Sequence, residues 1–341
     1  MAEAELAARG YKFIPGPTGS RGDFVLRKVD DETAAFTFEG PEHFASLAKA
    51  TFLWNREQLV SLCGLEKLAG FSNSATPYVT PGIVEKEAPV LLLCCGDVPG
   101  GDAGSWSRRL TINEGTSTGA MFEYIFRAQE RGWSVCVADL HAHDGASSPH
   151  AHLVEIWQKL LSKSKATSLL IVGHSYGGPN AVGMLKAEPD ALGLLGALVG
   201  TDAMAFGWQP ATGWTSASLD EVVPSEDEMR AYLEQCAPAD REEATQMRER
   251  CAQYASSVPA AFAPLTSAAA ERLAAVGRNF VSSDQPMGTP IRTEAGKMVL
   301  VSAGATEHGS TTNASIDGVF AFLERGAART AQAANVELVQ S

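Results

Sequence analysis

The stretch Leu169 to Gly178, LLIVGHSYGG, constrains everything else this chain can fold into. Four apolar residues, Leu169 to Val172, read as a buried strand, and they run directly into Gly173-His174-Ser175-Tyr176-Gly177. A serine between small residues at a strand-to-helix turn marks a backbone too sharp to accept side chains beside it. Such a turn lifts Ser175 Oγ clear of the sheet. It also sets the hydroxyl at the N-terminus of the next helix, predicted over Ala181 to Lys186, where the dipole favours developing negative charge. The pattern G-x-S-x-G in this context is a nucleophile elbow; the alternative is a glycine-rich turn carrying an inert serine.

An elbow needs a buried sheet around it, and the sequence supplies one. Ala88 to Cys95 (APVLLLCC) is nearly continuous in apolar residues, as expected of a parallel strand covered on both faces. Trp133 to Leu140, Leu192 to Val199 and Lys297 to Ser302 read as further core strands. Between and after them, Met121, Ile125 and Ala128 share one helical face, as do Ile316, Val319, Phe320 and Leu323. The alternation predicts an α/β-hydrolase-like fold: a mostly parallel central sheet with helices on both faces and a helical lid insertion. The core is expected over residues 88–204 and 278–326. Residues 205–277 form the insertion, where Ser225-x-x-Glu228 is a capping box; it could equally be packing or a partner surface. Before the core, residues 1–87 are read as a hairpin of Asp23 to Val29 with Ala34 to Phe38, then a helix over Pro41 to Leu65 with Phe44, Phe52 and Leu59 inward, then a loop over Phe71 to Gly82. Residues 327–341 are read as a frayed tail.

Acyl transfer needs an activated nucleophile, a base to activate it and an acid to hold that base in the right tautomer. Ser175 and His308, the latter in the loop after the last strand, occupy the first two places in hydrolase chain order. Two residues compete for the acid. Asp202 leaves the end of an unambiguous strand beside the nucleophile strand and is preferred; Asp284 is second, because Glu271 to Val281 reads either as one helix or as helix plus strand. The oxyanion hole is expected from the amide of Tyr176 and from Gly96 and Asp97, in a loop that could also be merely flexible. Trp106, Arg108, Arg109, His152 and His174 are read as substrate-facing, with Arg108 and Arg109 either clamping an anion or pairing with carboxylates. His141, His143, Asp144, His150 and His152 raise a metal site, but their spacing matches no zinc pattern and the loop follows a strand end, where polar residues facing a substrate are expected anyway. No metal or cofactor is therefore assigned.

Composition closes off other classes. Forty acidic against 27 basic side chains give a net charge of -13, which argues against direct binding of nucleic acid. The six cysteines form no C-x-x-C pair and read as reduced packing residues. No apolar run is long enough for a bilayer and the N-terminus carries no secretory pattern, so an intracellular address, cytoplasm or nucleus, is expected, with no membrane partner.

The chain resembles the Argonaute-binding-protein-two (Arb2) domain family, which includes the FAM172-type cotranscriptional regulators. The likeness is carried by GSWSRRLTIN at 104–113, SPHAHLVEIW at 148–157, IVGHSYGG at 171–178, NFVSSDQPMGTP at 279–290 and VSAGATEHG at 301–309, and it spans about Gly10 to Phe322. It implies an α/β-hydrolase-like fold, carries the nucleophile onto Ser175 and the histidine onto His308, and favours Asp202 through Thr201-Asp202. Cys95-Gly96 stands where a His-Gly is common. The family is linked to Argonaute, small-RNA-directed heterochromatin and nuclear RNA processing. The resemblance thus implies either a serine hydrolase acting on a small-molecule or acyl ester or thioester, or a non-catalytic scaffold with an Argonaute-type or chromatin protein partner.

Overall fold

The computed structural model describes residues 2–71, 75–96, 103–140, 149–203, 266–292 and 298–340. Two strands, β1 (Tyr11–Pro15) and β2 (Phe24–Lys28), pair antiparallel outside the main sheet. The rest enter one sheet: β3 (Glu66–Lys67), β4 (Tyr78–Val79), β5 (Val90–Gly96), β6 (Ser134–Val137), β7 (Leu169–Ser175), β8 (Leu195–Thr201), β9 (Gly277–Val281), β10 (Pro290–Arg292) and β11 (Val299–Ser302). Their spatial order is β10-β11-β9-β8-β7-β5-β6-β4-β3. From β11 through β6 all neighbours run parallel, and the antiparallel pairs β10·β11, β4·β6 and β3·β4 close the edges. This is the α/β-hydrolase-like architecture, with the serine-bearing β7 at the centre.

The apolar run of β5 alternates between two cores, as a doubly covered strand must. Leu91, Leu93 and Cys95 face one side with Leu59, Ile125, Phe320 and Leu323, while Val90, Leu92 and Cys94 face the other with Ile156, Trp157, Ala181 and Met184. Helices Pro41–Ser61, Phe122–Glu130 and Ile316–Gln340 therefore cover the first face, and Pro149–Lys159, Gly177–Ala187 and Ser267–Val276 the second. Phe52 and Leu59 are buried as expected and Phe44 packs at the margin.

Three expectations are corrected. Phe24–Lys28 pairs along its length with Tyr11–Pro15, and segment 34–38 reaches it through the bond from Lys28 N–H to Ala34 O at 3.1 Å but forms no strand. The turn between them is set by Gly19, at φ +67°, and by Asp23, whose carboxylate accepts from the amide and hydroxyl of Thr18 at 2.9 and 2.7 Å. Within the expected loop over Phe71 to Gly82, Tyr78–Val79 is a short strand paired with Cys136 and Val137. Finally, the backbone beyond Gly326 stays helical to Gln340, and Arg329 donates to the carbonyl of Gly196 at 3.0 Å, so the start of the expected tail is anchored. Glu271 to Val281 resolves into helix then strand, the helix packing Ala270, Leu273 and Val276 inward. The remainder of the expected lid, residues 205–265, lies outside the described residues.

Candidate active site

The elbow is built from close approaches. A Cβ on Gly173 would lie 2.6 Å from the amide nitrogen of Gly178, one on Gly177 would overlap the carbonyl of Cys94, and one on Gly96 would overlap Tyr176 Cβ. The helix Gly177–Ala187 thus seats its first turn directly on β5 and β7. Between the glycines, Ser175 adopts φ +53°, a left-handed conformation that a side chain takes only under constraint from its surroundings. Asp202 is the other non-glycine residue at positive φ among the described residues, at +46°, at the end of the neighbouring strand β8.

Asp202 is fixed from several sides. Its amide donates to Phe280 O at 2.6 Å, and Asn279 makes a pair of 3.2 Å hydrogen bonds to the amide and carbonyl of Ala203. The amide of Ser282 donates to Asp202 Oδ1 at 3.2 Å, and the Ser282 hydroxyl donates to Oδ2. His308 Nδ1 donates to the same Oδ2 at 2.8 Å. Burial alone would raise the Asp202 carboxyl, but the hydrogen bonds from His308 and Ser282 outweigh it and hold the pKa below the ordinary carboxylate value. In the neutral imidazole, donation from Nδ1 leaves the lone pair on His308 Nε2, the tautomer a general base needs.

His174 lies between the two strand ends. Its Nδ1 donates to the carbonyl of Thr201 at 2.7 Å, and its ring centroid is 4.7 Å from that of His308. Burial, and secondarily the neighbouring His308, lower its pKa to about 4, so it is neutral near pH 7. This contact holds His308 against the elbow. Ser175 Oγ has no hydrogen bond among the described residues, leaving the serine-to-histidine link open in this structure. Catalytic hydrogen bonds are commonly long before substrate binds.

The other expected residues divide. Asp284 is exposed, accepts from Gln285, and has no contact with His308. Gly96 sits beside Ser175 in the β5·β7 register, whereas Asp97 lies outside the described residues. Trp106 is buried edge-on to Tyr124 and close to His174. Arg109 is ion-paired with Glu307, next to His308, and Arg108 sits over the Phe44 ring at 5.9 Å, so neither is an open anion clamp. His152 is buried edge-on to Phe71, while 141–148 lie outside the described residues. The four described cysteines, Cys63, Cys94, Cys95 and Cys136, are buried thiols outside any disulfide among the described residues. Ser282 and Asn279 had no role read from sequence. The signal lay in the register, since Thr201 opposite Phe280 brings Asp202 beside Ser282.

No family model matches the sequence. A FAM172 family protein homolog of Caenorhabditis elegans is 29% identical over 198 residues, covering 54% of this chain and 60% of that protein. The cotranscriptional regulator ARB2A homolog of Xenopus tropicalis is 22% identical over 283 residues, covering 65% of this chain and 54% of that protein. The chain thus spans little more than half the length of these curated relatives. Among solved structures, the histone deacetylase Clr3 superposes with a TM-score of 0.44 at 10% identity, over 85% of this chain and 46% of that one. A thioesterase domain from the curacin biosynthetic pathway gives 0.38 at 14% identity, over 76% and 98%. With these curated relatives and an α/β-hydrolase-like sheet, the chain is similar to the FAM172 and ARB2A proteins over more than half of its length.

Proposed function

We propose that the chain is a serine hydrolase for an ester or thioester, with Ser175 as nucleophile, His308 as base and Asp202 as the acid that orients it. The observation that carries this reading is the 2.8 Å hydrogen bond from His308 Nδ1 to Asp202, beside a serine held at positive φ on the adjacent strand. Ser175 Oγ attacks the acyl carbon while His308 Nε2 takes its proton, and the amide of Tyr176 with the loop from Gly96 stabilises the oxyanion. His308 then returns the proton to the leaving alcohol or thiol. Water, activated by the same nitrogen, releases the acid and restores Ser175.

A second reading is supported by the open Ser175 hydroxyl and by relatives named cotranscriptional regulators: a non-catalytic nuclear scaffold that engages an Argonaute-type or chromatin protein. The acidic net charge favours a protein partner over direct RNA contact. Among the described residues no helix is long and apolar enough to cross a membrane.

Labelling by a fluorophosphonate probe separates the readings, because an unactivated hydroxyl reacts too slowly to be seen. The hydrolase reading expects label on the intact chain and none on Ser175→Ala or His308→Ala. A folded intact chain that takes no label overturns it in favour of the scaffold.

A further inference from the structure

Arg272, Arg278, Arg325 and Arg329 converge at the end of the sheet opposite the elbow. Arg272 donates to the carbonyl of Leu195 at 2.6 Å and Arg329 to that of Gly196 at 3.0 Å, the first two residues of β8. The far end of that strand leads to Asp202, about 20 Å away at the usual strand rise. The guanidinium carbons of Arg278, Arg325 and Arg329 lie 4.7, 5.6 and 5.9 Å from the centroid of one ring, Phe322. Three cations therefore share a single aromatic platform.

Among the described residues none of the four is ion-paired with Asp or Glu, and Arg278 Nε is buried with no hydrogen-bond partner. The contrast lies two residues earlier on the same helix. Phe320 also carries two arginines, Arg131 at 4.8 Å and Arg127 at 5.9 Å, but Arg127 pairs with Glu123 and Asp317 and Arg131 with Glu324. Among the described residues the arginines on Phe320 are thus neutralised, while the four around Phe322 have no carboxylate partner. Their proximity is unfavourable by itself: burial, then mutual repulsion, lowers the pKa of Arg278 and of Arg329.

We propose that this cluster is a binding site for a phosphate monoester dianion. Guanidinium forks match phosphate oxygens bidentately, and a dianion relieves the repulsion among the four. Two of the four side chains are already pinned by backbone carbonyls, so the site is preorganised. The compactness of the cluster, on a chain of net charge -13, favours one phosphoryl group over a long polyanion, which would meet repulsion from the rest of the surface. The site is independent of the hydrolase reading.

The test is thermal unfolding of the full chain in inorganic phosphate against chloride at matched ionic strength. Phosphate is expected to raise the midpoint saturably by about 2 °C. Arg325→Gln, at an exposed position, is expected to raise the midpoint without phosphate by removing repulsion and to abolish the phosphate increment; Arg325→Glu does both more strongly. A phosphoserine peptide that binds more tightly than both phosphate and its unphosphorylated form identifies a protein segment as the source, whereas no gain over phosphate identifies a small ligand. Equal midpoints in phosphate and chloride, or an increment that survives both variants, overturn the proposal. Tighter binding of a single-stranded RNA than of either phosphate probe, with a steep salt dependence, replaces it with a nucleic-acid site.

Discussion

The imidazoles of His174 and His308 lie 4.7 Å apart, centroid to centroid, and only His308 has a carboxylate partner. His174 is fully enclosed, gives its Nδ1 proton to Thr201, and has its pKa lowered to about 4 by burial first and by His308 second. Between pH 6.5 and about 4 the unfolded chain binds a proton at this position that the folded chain refuses. Stability is therefore full above pH 6.5 and falls through that window, by about 3 kcal/mol for a shift of this size. Chemical denaturation at pH 7.5 and 4.5 should show a shallower pH dependence for His174→Gln than for the intact chain. Parallel pH profiles would remove His174 as the source.

Ser282 carries a prediction about the carboxylate. Its hydroxyl and amide are among the groups that overcome the burial of Asp202 and hold its carboxyl below the ordinary value. Ser282→Ala removes the hydroxyl bond and keeps the amide one, so the Asp202 pKa rises. If the hydrolase reading holds, fluorophosphonate labelling slows by roughly tenfold, the equivalent of one charge-assisted hydrogen bond. The acid limb of its pH profile also moves to higher pH, whereas an unmoved profile with reduced stability would make Ser282 a structural residue only.

Asn279 is the support beneath Asp202. Its side chain answers both the amide and the carbonyl of Ala203, in a buried position. Asn279→Ala leaves those two backbone groups without partners, at a cost of about 1–3 kcal/mol each where water cannot enter. The substitution also releases a residue held at positive φ. We expect a lower denaturation midpoint together with loss of labelling, and Asn279→Asp should not rescue either, because it removes the donor to the Ala203 carbonyl.

Much of this was legible in the sequence, and the reasons differ by element. The elbow could be read because Gly173 and Gly177 are required by backbone contacts that admit no Cβ. β5 and β7 could be read because burial on both faces leaves no polar positions. Asp202 could be preferred over Asp284 because it leaves an unambiguous strand end, but its partner Ser282 depends on β9 running beside β8, a non-local pairing that periodicity does not encode. The N-terminal hairpin failed for the same reason. Strand Phe24–Lys28 had two apolar segments within reach, and the aromatic cluster decided: Phe13 stacks on Trp54 at 4.1 Å and Phe24 meets it edge-on at 5.3 Å. Arg109 stayed open between an anion clamp and a carboxylate pair because its partner Glu307 lies far along the chain.

Gly326 closes the core span expected from the sequence, and it illustrates how a glycine can mean contact instead of fraying. The helix runs on to Gln340, and Gly326 lies where it crosses the start of β8. A Cβ there would fall 2.7 Å from both Gly196 O and Ala197 Cβ, and 2.9 Å from Gly196 C. In an open helix interior, Gly→Ala gains about 1 kcal/mol from backbone entropy. Here two of the three contacts are backbone atoms of a central strand, which cannot move without disturbing β7 and β9 on either side, so the overlap costs about 1–3 kcal/mol and outweighs that gain. Gly326→Ala is therefore expected to lower the denaturation midpoint and to loosen the Arg329 contact with Gly196. At Ala328, exposed on the same helix, Ala→Gly should lose only the propensity term. A Gly326→Ala variant more stable than the parent would mean that the helix lifts from β8 readily, and that this crossing is not what holds the C-terminal helix in place.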